Sequence, residues 1–332
     1  MKSQYLELAG RMGVGQSERI PRLFKMIADE SEVDLLLALP ADAASAAEKL
    51  GRTLDDVTAS LDTLFIKGLV FPVPKADPPA YRLCRDLIQF HDATVLWPDA
   101  PKEFLDLWQE FMEVEWPDVA KMLSQMLPRP FTRVIPIGIT LPAKTHVLAF
   151  EDIREIVETS RTRAVAKCTC RLTAHKCDKK LEACIQINRA AEYSITRGTG
   201  RELTKQETLD LVRECEEEGL IHVVMNKQNA DHFICNCCEC CCMTMPILIE
   251  QGIRVIEPSR FLAEVDEDEC DSCEICVSRC FFGAITVDTD EAAKVDPEKC
   301  LGCGLCLVTC PTEAISMKEV REKDFVPEKL FG

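Results

Sequence analysis

Two cysteine runs near the end of the chain have the residue type and the spacing for metal binding. Each run reads Cys-x-x-Cys-x-x-Cys-x-x-x-Cys, and the second is followed by Pro311. Three thiolates on one tight loop can bind three corners of an iron–sulfur cube, while the fourth cysteine of each run faces the neighbouring cube. The spacing therefore predicts two [4Fe–4S] clusters with crossed ligands. The predicted ligand sets are Cys270, Cys273, Cys276 and Cys310 for one cluster, and Cys300, Cys303, Cys306 and Cys280 for the other.

The sequence on either side of these runs repeats as well. Val265-Asp266 precedes the first run and Val295-Asp296 the second, while Ala284-Ile285 and Ala314-Ile315 follow them at the same offset. Such a repeat indicates two copies of one unit that share a core. The stretch resembles the bacterial two-cluster ferredoxin domain over residues 260–320, with Phe281 where that motif has proline. A pair of zinc sites is the alternative, but the common zinc-binding motifs place their ligands in two separated pairs.

A second cysteine field lies in the middle of the chain. Six cysteines fall within the eight residues 235–242, which is too dense for core packing and too close for disulfides. Clustered thiolates require a cation to neutralise them. We therefore expect one or two further iron–sulfur clusters, with the two cysteine segments meeting in space. The candidate ligands are Cys168, Cys170, Cys177, Cys184, Cys235, Cys237, Cys238, Cys240, Cys241 and Cys242.

The Cys-x-Cys-Arg start at Cys168, the 216–222 stretch and the Cys-Asn-Cys-Cys-x-Cys-Cys-Cys block together resemble a family of anaerobic multi-cluster iron–sulfur proteins. The resemblance covers residues 130–320 and implies electron transfer or membership of a redox complex. The adjacent cysteines also resemble those of heterodisulfide-reductase-type domains, although the Cys-Cys-Gly of those domains is absent. Near the thiols, His175 and His232 are either ligands or surface residues, and Lys167 and Arg171 either support cluster sulfurs or are solvated.

The first part of the chain has no metal-binding pattern. Apolar residues at helical spacing between Ile20 and Ala38, helices over 43–50 and 54–67, and a hairpin over 69–84 are predicted. This order resembles a winged helix-turn-helix domain over residues 17–90. The second helix of the motif carries three aspartates against Lys67, so phosphate contacts are disfavoured. We expect a protein-docking or dimerisation module rather than a DNA-binding one.

Composition narrows the class of protein. The chain has 332 residues, a net charge of -17 and 20 cysteines, and its first residues do not read as a signal peptide. Abundant cysteine in a reducing compartment indicates metal or redox chemistry, so a cytoplasmic location is expected. The acidity makes nucleic acid an unlikely ligand and suggests a redox partner with a basic docking patch. No apolar run is long enough for a membrane span.

The expected fold class is α+β in three domains. These are a winged-helix-like domain (1–127), a mixed α/β cysteine-rich domain (128–260) and a ferredoxin-like two-cluster domain (261–332). No dinucleotide or Walker motif and no nucleophile–base pair stands out. The predicted function is relay of low-potential electrons between a donor and a partner enzyme, as a homodimer or in a heteromeric complex. The alternatives are an iron–sulfur redox-sensing transcriptional regulator and a reductase with an open central cluster.

Overall fold

The computed structural model describes residues 3–136, 148, 151–229, 231–289 and 291–330. Helices and strands are mixed, as expected for an α+β chain. The chain forms two compact units, one of residues 1–119 with 172–174 and the other of residues 120–171 with 175–332. No helix among the described residues is long and apolar enough to cross a membrane. The three-domain division stays a prediction.

The first unit is mainly helical, with a small antiparallel sheet of order β1-β3-β2. Its elements are α1 (Ser3–Arg11), α2 (Ile20–Ile27), α3 (Glu30–Ala38), β1 (Ala41–Asp42), α4 (Ala43–Leu50), α5 (Leu54–Lys67), β2 (Val70–Pro72), β3 (Ala80–Leu83), α6 (Leu87–Thr94) and α7 (Lys102–Val114). The next helix, α8 (Trp116–Met126), begins in the first unit and ends in the second. The helices and the hairpin predicted between residues 20 and 84 are present. Helices α1 and α6 were not predicted.

Local capping explains where these helices begin and end. The Thr53 side chain accepts a hydrogen bond from the backbone N–H of Asp56 at the start of α5. Gly51 and Gly68 end α4 and α5 in the left-handed conformation, which costs glycine little. The apolar spacing of α5 predicts that Leu54 lies on its buried face, but Leu54 is the first residue of the helix and is 52% exposed.

An aromatic cluster forms the core of the first unit. Trp108 is fully buried, with its ring centroid 5.0 Å from that of Phe90, and Phe90 stacks on Phe24 at 4.2 Å. Phe104 and Phe111 meet the indole edge-on. The helical spacing of the aromatic residues between Trp97 and Trp116 predicts core packing, and Phe104, Trp108 and Phe111 do pack in the core.

The second unit contains a six-stranded antiparallel sheet of order β4-β8-β9-β6-β5-β7. Its elements are β4 (Thr132–Val134), α9 (Ile153–Thr159), β5 (Arg163–Lys167), the first half of α10 (Thr169–Ala174), β6 (Glu182–Ile187), α11 (Arg189–Thr196), β7 (Gly200–Glu202), α12 (Lys205–Glu217), β8 (Ile221–Met225), β9 (Phe233–Cys237) and α13 (Met245–Gln251). The sequence also predicts strands over 133–139 and 146–150; β4 covers the start of the first, and 137–147 and 149–150 lie outside the described residues.

The C-terminal part of this unit is built from two similar halves. Its elements are β10 (Phe261–Val265), α14 (Ile275–Arg279), β11 (Ile285–Thr286), β12 (Lys294–Val295), α15 (Leu305–Val308) and β13 (Ile315–Glu319). Strand β10 pairs with β13 and β11 with β12. An apolar cluster of Val134, Ile221, Val223, Met245, Ile256 and Leu305 joins these halves to the six-stranded sheet.

Candidate metal centres

The backbone repeats in the C-terminal part as the sequence does. Three pairs of residues thirty positions apart share the left-handed conformation, namely Ser272 and Gly302, Glu274 and Gly304, and Gly283 and Glu313. Non-glycine residues adopt this conformation rarely. The two cysteine loops are thus folded alike, which gives both sets of thiols the same local arrangement.

We call Cys270, Cys273, Cys276 and Cys310 the outer site. The four cysteines line one cavity, together with Ala293 and Ile315. Three of them come from the first half and Cys310 from the second, which is the arrangement that a crossed ligand set requires. Cys273 is exposed and Cys276 is buried. Burial raises the pKa of Cys276, and the nearby Cys270 and Cys273 raise it further.

We call Cys300, Cys303, Cys306 and Cys280 the inner site. Burial raises the pKa of the Cys303 thiol to about 12, and Cys280 and Cys300 add to the shift. The pKa of Cys306 is also raised by burial, and then by Cys303, Cys300 and Cys280. Cys280, which belongs to the first half, therefore lies among the thiols of the second.

Backbone amides point at two of these sulfurs. The N–H of Ala284 donates to the Cys280 sulfur at 3.3 Å, and that of Ala293 donates to the Cys270 sulfur at 3.5 Å. Hydrogen bonds to ligand sulfurs orient them and tune the reduction potential of a bound cluster. The donor set and its surroundings fit iron–sulfur clusters at both sites.

In the central region, the strand β9 and the turn after it direct neighbouring cysteines differently. Cys235 and Cys237 share one face of β9, while Ile234 and Asn236 are buried on the other. The turn after Cys237 then brings Cys238, Cys240 and Cys241 to Cys177, which lies beyond α10. The four sulfurs of this group are all within 4.8 Å of one another. We call it the four-sulfur group.

A second set of central thiols contains Cys168, Cys235, Cys237 and Cys242, and we call it the strand group. Contact with Cys235 is the main reason why the pKa of Cys237 is raised well above its usual value, and Cys168 adds to it electrostatically. Contact with Cys237 raises the pKa of Cys242 in the same way. The two central segments therefore meet in space, as expected.

Two further predicted ligands, Cys170 and Cys184, are not among the four sulfurs of the four-sulfur group. Cys170 lies within α10, and Cys184 lies on β6, where the register that pairs Ile185 with Ile234 puts it opposite Cys235. Neither histidine belongs to the four-sulfur group. His175 is exposed at the end of α10, and the His232 ring contacts the Asp231 carboxylate.

Arg171 lies between the two central groups. The side chain is 3% exposed, and two of its nitrogens donate to the backbone carbonyl of Asn236 at 3.1 and 3.0 Å. Burial by itself lowers the pKa of this guanidinium, but Cys168 and Cys238 outweigh burial, and the net pKa is raised. A buried positive charge at this position stabilises thiolates on both sides.

A buried polar network behind β9 was not predicted from the sequence. The amide nitrogen of Asn236 donates to the carbonyl of Ala183 at 2.7 Å, and its amide oxygen lies 2.6 Å from Nδ1 of His222. Nε2 of the same ring lies 3.2 Å from the Glu216 carboxylate. These hydrogen bonds hold the Asn236 side chain in place, between Cys235 and Cys237 on β9. The only signal in the sequence was the alternation of Asn236 with the two cysteines.

The C-terminal part also contacts the end of α12 through hydrogen bonds from one arginine of α14. Arg279 in α14 donates to the backbone carbonyls of Glu216 at 2.7 Å and Glu217 at 2.9 Å. Gly219 has a φ of +79, and an added Cβ would lie 2.7 Å from the Arg279 guanidinium. Glycine is thus needed here both for its backbone conformation and for space.

Comparison with known proteins gives one match. Residues 263–317 match the family model of the 4Fe–4S dicluster domain. No curated protein and no solved structure matches the chain significantly. The chain therefore carries, in residues 263–317, a segment similar to 4Fe–4S dicluster domains, and a separate cysteine-rich group around residues 177–241.

Proposed function

We propose that this protein relays single electrons through iron–sulfur clusters between a donor protein and an acceptor enzyme. The observation that supports it best is the doubled cysteine motif, in which each half contributes one cysteine to the thiols of the other. The outer and inner sites would each bind a [4Fe–4S] cluster, which stores and passes one electron. This C-terminal part would have a ferredoxin-like fold.

The outer site is where electrons would enter or leave. Its Cys273 is exposed, and the neighbouring Ile275 is 42% exposed. Residues 260–329 contain 17 acidic and 8 basic side chains, and acidic residues crowd the approach to the first cysteine loop. These are Glu264, Asp266, Glu267, Asp268, Glu269 and Asp271. A partner with a basic patch around an apolar centre would be steered to this surface.

The inner site would connect the outer site to the central region. The thiol of Cys276, from the outer site, is close enough to influence the pKa of Cys306. On the other side, Cys303 packs against the apolar cluster that contains Cys242 and Leu305, with Cys235 and Cys237 beside it. The thiols thus follow one another from the exposed Cys273 to the strand group, where a further cluster would bind.

The first unit would serve docking or dimerisation rather than chemistry. Its α5, which would be the second helix of a winged helix-turn-helix motif, has Asp55 and Asp56 in its first turn and Lys67 in its last. Carboxylates facing phosphate would reduce affinity for DNA. A heteromeric complex or a homodimer formed through this unit agrees with a relay protein whose sequence contains no dinucleotide or Walker motif.

The relay can be tested by injecting an electron beside the outer site. A ruthenium photosensitiser bound to Glu267→His would be flashed under anaerobic conditions, and cluster reduction followed by rapid-freeze electron paramagnetic resonance. We expect the outer site to be reduced first and the central cluster afterwards. Cys303→Ala should keep the first step and abolish the second, whereas Cys84→Ala, a buried thiol of the first unit, should change neither. Central reduction at the wild-type rate in Cys303→Ala would contradict the relay.

A further inference from the structure

All six sulfur–sulfur distances in the four-sulfur group are within 4.8 Å, and three of them are 4.0 Å or less. Cys177 lies 4.0 Å from Cys238 and 3.7 Å from Cys241, and Cys240 lies 3.7 Å from Cys241, all between sulfur atoms. A disulfide would need about 2.05 Å, so these are separate thiols. Cys177 is 61 residues from Cys238 in the chain, so tertiary folding brings these sulfurs together.

This spacing suits one metal ion. Four sulfurs at about 2.3 Å from a central ion in a tetrahedron lie about 3.8 Å from one another. In an iron–sulfur cube, each thiolate binds a different iron, so the sulfurs are separated further by the width of the cube. The four-sulfur group therefore has the dimensions of a mononuclear site.

The outer and inner sites provide an internal reference. Their eight cysteines all lie within the described residues, yet they form no group of three sulfurs as close as 4.8 Å. The same holds for the strand group. Within the part of the chain that the structure describes, the four-sulfur group alone is this compact.

We propose that Cys177, Cys238, Cys240 and Cys241 bind a single tetrahedral thiophilic ion, with zinc as the expected occupant. All four ligands are thiolates, the set that closed structural zinc sites use. The four cysteines complete a tetrahedron without water, and two of them are shielded from solvent, since Cys238 is 1% exposed and Cys241 7% exposed. A closed site of this kind stabilises the fold and does not exchange electrons.

Neighbouring groups support both the charge and the shape of the site. Four thiolates on a divalent ion carry a net charge of −2, and the Arg171 guanidinium hydrogen-bonds to Cys238. Lys179 pairs with Glu239 at 3.0 Å and lies over the Phe281 ring at 4.7 Å. These contacts join the loop of Cys177 to the turn after β9 and to the inner site, so the ion would clamp the three together.

The proposal is independent of the electron relay, since metal identity and electron flow are measured separately. Wild-type protein purified anaerobically would be analysed for zinc, iron and acid-labile sulfide, and by X-ray absorption at the zinc edge. We expect one zinc per chain, with four sulfurs at about 2.3 Å and no metal neighbour. The absorption spectrum needs no variant and therefore does not depend on a mutant folding.

The double variant Cys177→Ala/Cys240→Ala should lose the zinc and keep its iron and sulfide. Cys303→Ala should do the reverse, losing iron and sulfide while keeping zinc. A mononuclear iron signal that the double variant loses, with sulfide unchanged, would support the same geometry with iron in place of zinc. Loss of about four irons with an equal amount of sulfide would show a cube and overturn the proposal, as would no change in metal content.

Discussion

The C-terminal cysteines and the four-sulfur group differ in how closely their sulfurs approach. The outer-site thiols line a cavity, and no three of the C-terminal sulfurs come within 4.8 Å of one another, whereas those of Cys177, Cys238, Cys240 and Cys241 all do. Both regions are rich in cysteine and lie in the same compact unit. The difference teaches that the number of cysteines predicts metal binding, while the distance between sulfurs indicates how many metal atoms are bound.

A crossed ligand set predicts which variants behave alike, and this is the largest expected effect. Cys280→Ala and Cys303→Ala should each lose the inner cluster, about four irons, and leave the same residual signal in electron paramagnetic resonance. Cys310→Ala and Cys270→Ala should each lose the outer cluster and leave the signal of the inner cluster. If Cys280→Ala resembled Cys270→Ala instead, the cysteines would not cross.

Neighbouring cysteines of the central region offer the sharpest test of the comparison. Cys237 belongs to the strand group and Cys238 to the four-sulfur group. We expect Cys237→Ser to lower the iron content by up to about four atoms and to retain zinc. Cys238→Ser should lower zinc and retain iron. Both variants would be measured for iron, sulfide and zinc, and equal losses of iron in the two would mean one shared cluster.

The hydrogen bonds from Arg279 in α14 to the end of α12 should have a smaller effect, which is on the stability of the fold. Gly219→Ala imposes a left-handed conformation on alanine, which costs about 1–2 kcal/mol. It also displaces Arg279 from two carbonyls, at a cost of about 1.5–3 kcal/mol. The free energy of unfolding should fall by the sum, as measured by anaerobic denaturation.

Gly252→Ala is the matched control for that variant. Gly252 has a φ of +66 and nothing within 4 Å of an added Cβ, so only the conformational cost applies. In an Arg279→Ala background, Gly219→Ala should cost no more than Gly252→Ala does. An unchanged cost in that background would mean that Arg279 is not involved.

The smallest effect concerns the surface of the outer site. Screening by salt reaches about 8 Å at 0.15 M, so docking of a basic partner should weaken as salt rises. We expect the rate of electron transfer to a basic redox protein to fall on the order of tenfold between about 0.01 M and about 0.5 M salt. Asp268→Lys should flatten this dependence, whereas Asp210→Lys, on α12 and outside the acidic approach to the first cysteine loop, should not. A rate independent of salt in the wild type would count against electrostatic docking.

The sequence by itself determined the features that depend on local spacing. The cysteine runs repeat over thirty residues, and the backbone repeats its left-handed positions at the same offset, because each loop is short and folds by its own geometry. Helix ends were predictable for the same reason, since Thr53, Gly51 and Gly68 act on residues one turn away. The match of residues 263–317 to a dicluster domain rests on these local signals.

Only the tertiary structure decided how the central thiols divide. Cys177 reaches its partners across 61 and 64 residues, because β5, β6 and β9 lie side by side in the sheet. Cys237 and Cys238 are adjacent in sequence but join different groups, since β9 ends between them and the turn reverses the direction of the side chain. Sequence spacing carries no record of such a change, because it depends on strands from distant parts of the chain.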